Sequence, residues 1–78
     1  MEKAELQRIR KLLGKRIREL RKARGLSQET FAHECGIHRT YMGDVERGER
    51  NIALDNLVKI ADALSIELSE LFREVVRK

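Results

Sequence analysis

The chain has 78 residues, which suits one small domain with a thin core. Hydrophobic residues at 41% beside 38% charged exclude a disordered chain, and the single cysteine, Cys35, excludes an intrachain disulfide. Apolar runs of only a few residues leave no membrane span or signal peptide, so a cytoplasmic, reducing location is expected. The net charge of +4 favours a polyanion such as nucleic acid only weakly, since an ordinary solvated helical surface is compatible with it too. Proline is absent, and Phe31, Tyr41 and Phe72 are the aromatic residues, a composition that favours helices over sheet.

The first element is read from Leu6, Ile9, Leu12, Leu13, Ile17 and Leu20, which recur three and four apart as on one face of a helix. Gly14 interrupts that face and marks either a bend or a break between a leading turn and the domain proper. Lys15, Arg16, Arg18, Arg21, Lys22 and Arg24 crowd the last turns, where the helix dipole is negative, and Gly25 is the stop. Ser27 is an N-cap for a second helix, Glu29 adds charge to its first turn, and Phe31, Ala32 and Cys35 form its apolar stripe. Gly36 ends it, and Ile37 is an apolar residue within the turn. A third helix begins near His38 or Arg39 and stops before Gly48.

A loop, ERGERNIAL, follows, with Asn51 as a turn residue. Leu54, Leu57, Val58, Ile60, Ala61 and Leu64 predict a fourth helix closed by Ser65 and Ile66. A fifth starts at Leu68 or Ser69, with Leu71, Phe72, Val75 and Val76 as its apolar positions. The expectation is an all-α, five-helix domain over residues 1–78. The apolar residues of 54–76 exceed what two short helices can bury, so a second copy is expected to cover the surplus, with Leu54, Ile66, Leu68, Phe72 and Val75 as interface candidates.

The third helix has two unlike faces. Stepping about 100° per residue, Arg39, Gly43, Arg47, Thr40 and Asp44 share one side, and Tyr41, Met42 and Val45 share the other. The polar side carries a guanidinium, a hydroxyl and a carboxylate. Arginine bonds both acceptors of a guanine, a carboxylate accepts from cytosine N4, and threonine pairs with a base or touches a thymine methyl. Gly43 lets the helix approach a surface closely. Helix two, a tight glycine turn and a short third helix together make a helix-turn-helix, with Ala32 at the crossing and Ile37, Met42 and Val45 turned inward.

The segment SQETFAHECGIHRTYMGDVERGERN, followed by LDNLVKIADALSIELSELF, resembles the Cro/CI (Xre-type) family of helix-turn-helix regulators, whose fold is lambda-repressor-like. The match runs from about Leu13 to Phe72. HRTY with VERGxRN is most similar to the controller proteins of restriction–modification systems. The resemblance implies a homodimeric regulator on a palindromic operator of double-stranded DNA, joined through its C-terminal helices, with RNA polymerase as a further partner. An antitoxin or phage-type repressor of the same fold is the alternative, as is a protein–protein adaptor that has lost DNA binding. Arg39, Thr40 and Asp44 match base-facing positions. Gln28, Tyr41, Arg47, Arg50 and Asn51 match positions on the DNA backbone, and Arg21 and Glu46 match a structural salt bridge. Gly43 departs from the family, which usually carries a larger side chain there.

Other readings of the same residues stay open. The outer face of helix three is also a possible solvated face. Asp44 either repels wrong bases or orients Arg39, and Tyr41 either meets phosphate or sits at the core edge with its hydroxyl in water. The Arg21–Glu46 pair is expected to be partly buried. His33, Cys35 and His38 lie close in sequence, but 33 and 35 point to different helix faces and no second cysteine completes a metal set, so no metal or cofactor is expected. No catalysis is expected, because five small helices offer neither an oriented base nor a cleft. The basic run of helix one could lie on a membrane surface, but its apolar stripe is needed for the core.

Overall fold

The computed structural model describes residues 2–73 and 75. Its helices are α1 (Lys3–Ala23), α2 (Gln28–Cys35), α3 (Arg39–Glu46), α4 (Leu54–Ala63) and α5 (Leu68–Leu71), with no strand among the described residues. α1 packs on α3 and α5, α2 packs on α3 and α4, and α4 packs on α5. The apolar stripes therefore meet in one cluster, where Ile17, Phe31, Met42, Val45, Ile60 and Leu71 are fully buried. Each such side chain contributes about 1.5–3 kcal/mol relative to exposure. Among the described residues no helix is long and apolar enough to cross a membrane.

Gly14 neither bends nor breaks α1, which runs unbroken through it. Its role is contact with α3. A Cβ placed there would lie 2.3 Å from the Val45 carbonyl oxygen and 2.7 Å from that of Glu46. Only a residue without a side chain lets α1 rest against the last turn of α3.

The basic run of α1 also has a structural use that its sequence did not reveal. Arg24 Nη1 donates to the carbonyl of Leu64, the C-cap of α4, at 2.9 Å. Arg16 donates through Nε and Nη2 to the Glu70 carbonyl near the end of α5, at 3.1 and 3.0 Å. Arg24 thereby satisfies a carbonyl that the end of α4 leaves open, and Arg16 adds its donors to a carbonyl that also takes the Arg73 amide at 3.3 Å.

The C-terminal part departs from expectation. α5 is a single turn, and Phe72, Arg73 and Val75 follow as turn residues; Val76 lies outside the described residues. Val75 is a correction to the expected subunit interface: at 1% exposure it is part of this chain's own core. Ile66, Leu68 and Phe72 are half-buried against that core. Leu54 and Val58 are the exposed apolar residues of α4, 65% and 42% accessible, one turn apart on one face. The spacing of Val58 also suits the core stripe of α4, so periodicity alone does not mark it as an interface residue.

Candidate nucleic-acid interface

The helix-turn-helix is built from local hydrogen bonds that the sequence encodes. Ser27 Oγ accepts from the Thr30 amide at 3.1 Å and caps α2. Gly36 takes the left-handed conformation at φ 72°, where a side chain would be strained. The Ile37 amide can then donate to the Ala32 carbonyl at 2.9 Å, closing the turn as a Schellman-type cap. Ile37, in the turn, and Ala32, on α2, are both buried. His38 caps α3: its Nδ1 accepts from the Thr40 amide at 3.0 Å, which requires that nitrogen to carry a lone pair.

α3 buries Met42 and Val45 and leaves Arg39 and Thr40 exposed on its first turn. A shallow groove beside them is lined by Gln28, Glu29, Arg39, Thr40, Gly43 and Arg47. The Arg39 side chain is 67% exposed and its Nη1 donates to Glu29 Oε2 at 3.2 Å, a link across the turn from α2. Such an exposed pair is weak and easily exchanged for another acceptor.

Asp44 does not orient Arg39. Its Oδ1 accepts from Arg47 Nη2 and its Oδ2 accepts from Arg50 Nη2 at 2.7 Å. Arg47 Nε also donates to Glu49 Oε1 at 3.0 Å. The Glu49 hydrogen bond, with the charges of Glu49 and Asp44, pushes the Arg47 guanidinium further above its already high range. The Arg50 guanidinium lies over the Tyr41 ring, 4.8 Å from its centroid, a cation–π contact worth about 0.5–1 kcal/mol at an exposed site. Tyr41 itself is half-buried against the core, and Asn51 is exposed in the loop after α3.

Behind this face lies a buried polar knot. Arg21 Nε and Nη2 donate to the two Glu46 carboxylate oxygens at 2.8 and 3.0 Å, with side chains only 8% and 3% exposed. The pair is therefore more deeply buried than expected. Arg21 Nη1 donates to the Leu26 carbonyl at 2.7 Å, and Gln28 Nε2 donates to Glu46 Oε1 at 3.0 Å. Gln28 thus joins α2 to the knot as well as lining the groove. Gly43 is roofed by this chain's own side chains, since a Cβ there would lie 3.2 Å from both Arg47 Nη1 and Gln28 Oε1.

His33 is exposed, Cys35 is buried and His38 is the cap of α3. Burial, aided by the charge of Glu34, pushes the Cys35 thiol up to about 11, which makes it a small inert hydrophobe rather than a nucleophile.

The carboxylate pairings of Asp44 and Glu29 were not read from the sequence. The Asp44–Arg47 spacing of three is a helical signal, but Arg50 lies past the end of α3 and Glu29 on another helix. Those contacts depend on how the loop and the turn fold back.

The helix-turn-helix family model (HTH_3) matches residues 17–71. Over 64 residues the chain is 47% identical to the control protein C.BamHI of Bacillus amyloliquefaciens, covering 81% of this chain and 79% of that protein. It is 44% identical over 66 residues to the control protein C.MunI of a Mycoplasma species, covering 83% and 89%. The crystal structure of the restriction-modification controller protein C.AhdI from Aeromonas hydrophila superposes with a TM-score of 0.79 at 54% identity, covering 88% of this chain and 98% of that one. The capped glycine turn between α2 and α3, the exposed first turn of α3 and these likenesses agree: the chain belongs to the Xre-type helix-turn-helix family.

Proposed function

We propose that this chain is a sequence-specific DNA-binding transcriptional regulator of the restriction–modification controller kind, acting as a cytoplasmic homodimer on a palindromic operator. The observation that carries this reading is the two-sidedness of α3. Met42 and Val45 lock one face into the core while Arg39 and Thr40 are exposed on the other. A helix held that rigidly can present a guanidinium and a hydroxyl to base edges in a major groove. Arg39 and Thr40 provide direct readout and Asp44 assists. Gln28, Tyr41, Arg47, Arg50 and Asn51 set the register on the sugar–phosphate chain. The protein acts by binding, and RNA polymerase is the further partner through which a bound dimer would influence transcription.

The test is a fluorescence anisotropy titration on an operator recovered by selection from a pool of random duplexes. Arg39→Ala is expected to cost about 1–3 kcal/mol on the operator and to relax preference at one base position. Equal loss on operator and random duplexes would remove Arg39 from the reading role. No salt-sensitive binding by the unaltered protein would favour the adaptor reading instead.

Dimerisation rests on Leu54 and Val58, exposed on one face of α4, with Ile66, Leu68 and Phe72 half-buried nearby in sequence. Two recognition helices about 34 Å apart would read successive major grooves. Leu54→Glu is expected to shift sedimentation from dimer toward monomer and to weaken operator binding at low protein concentration. An unchanged sedimentation profile would place the interface elsewhere.

A further inference from the structure

Each arginine of the proposed DNA-facing surface is already held by a carboxylate of the same chain. Glu29 holds Arg39 at 3.2 Å, Glu49 holds Arg47 at 3.0 Å, and Asp44 holds both Arg47 and Arg50. Asp44 is the hub, because its two oxygens each take a different arginine. Its side chain is only 22% exposed, against 57% and 42% for those of Arg47 and Arg50, so it is more sheltered than the arginines it holds. A carboxylate offers a guanidinium the same kind of charged oxygen acceptors that a phosphate does. It is therefore a built-in competitor for the DNA backbone.

The geometry of the donors makes that competition directional. A guanidinium has five N–H groups. Arg50 uses Nη2 on Asp44, which leaves Nε and Nη1 free of Asp44. Arg47 uses Nη2 on Asp44 and Nε on Glu49, which leaves Nη1. A phosphate arriving from the side of the free donors can share each arginine with Asp44. A phosphate arriving from elsewhere must first pull the arginine away. Only a complex seated by base contacts at Arg39 and Thr40 brings phosphates repeatedly to one direction. Binding to arbitrary sequence relies on phosphate neutralisation alone and meets them from many.

We infer that Asp44 is a specificity-determining residue that acts through Arg47 and Arg50, suppressing their attraction for phosphates of arbitrary sequence while aiming them at the phosphates of a correctly seated operator. This rests on the reading that the α3 face binds DNA. The assistance that Asp44 gives to readout is therefore indirect: it positions Arg47 and Arg50 and touches no base itself.

The experiment compares the unaltered protein, Asp44→Asn and Asp62→Asn on the selected operator and on a random duplex of equal length, across a salt series. Asp62 is an exposed carboxylate on α4, outside the helix-turn-helix, so its replacement makes the same charge change away from this face. Asp44→Asn is expected to tighten random-duplex binding roughly tenfold and to steepen its log affinity against log salt slope by about one. Operator affinity should change by less than about threefold, so the specificity ratio falls. Asp62→Asn should leave that ratio unchanged. Glu49→Gln, which loosens Arg47 alone, should move the ratio the same way by less, and it supplies the test should Asp44→Asn fold poorly.

Three results overturn the inference: random-duplex affinity and slope unaltered by Asp44→Asn, equal tightening on both duplexes, or relaxed preference at a single base position, which would mean that Asp44 reads a base directly. Failure of the unaltered protein to bind any duplex would remove the DNA reading, and the inference with it. The other three outcomes leave that reading intact.

Discussion

Gly14→Ala is expected to destabilise the protein by about 3 kcal/mol, the upper part of the range for overpacking a core contact. By helix propensity alone the change should help, by roughly 1 kcal/mol. The contact decides otherwise. The added Cβ would lie 2.3 Å from the Val45 oxygen, 2.7 Å from the Glu46 oxygen and 2.9 Å from the Glu46 carbonyl carbon. All three are backbone atoms, so no side-chain rotation relieves the clash. α1 and the end of α3 must move apart, and that movement also strains the Arg21–Glu46 bridge between the same two helices. A urea titration at matched protein concentration measures the effect as a lower midpoint with an unchanged slope. A midpoint equal to or above that of the unaltered protein would mean that α1 does not rest on α3 at this point.

Glu46→Ala is expected to cost about 3–5 kcal/mol, because it leaves a buried charge without its partner. The Glu46 carboxylate accepts two hydrogen bonds from Arg21 and one from Gln28. Without it the Arg21 guanidinium keeps the Leu26 carbonyl and little else. Arg21→Met should cost a similar amount for the reciprocal reason. The double variant Arg21→Met with Glu46→Leu should lose less than either single change, since it buries no unpaired charge. Denaturation of Arg21→Met, Glu46→Leu and the double variant completes the cycle. If the double variant lost the sum of the singles, the two residues would be acting independently and the pair would carry no coupling. The cycle also bears on binding. Glu46 anchors Gln28 at the groove, so Glu46→Ala should weaken operator binding beyond what its lost stability explains.

Much of the architecture was legible residue by residue. Ser27 and Gly36 bracket α2 because a side-chain oxygen satisfies an open helix amide and because a residue lacking Cβ tolerates positive φ. The spacing of Met42 and Val45 put one face of α3 inward, and both are fully buried. The same periodicity overestimated the C-terminal helix. Val75 suited a longer helix and an outer seam, yet it lies in this chain's own core after α5 has ended. Apolar spacing states that a residue will be buried and is silent about which surface does the burying.

The sequence by itself determined the helix-turn-helix: its caps, its glycine turn and the outward set of Arg39 and Thr40 all arise within a few neighbouring residues, where propensity and periodicity act directly. Only the tertiary structure decided what Gly14, Arg16, Arg24 and Asp44 do. Gly14 meets a backbone some thirty residues away, Arg16 and Arg24 hold the ends of other helices, and Asp44 holds, besides Arg47 one helical turn on, the Arg50 that the loop after α3 returns to it. The physical reason is range. Local hydrogen bonds and side-chain spacing are encoded where they occur, whereas a carbonyl or a guanidinium finds a distant partner only after the core has fixed where each helix lies.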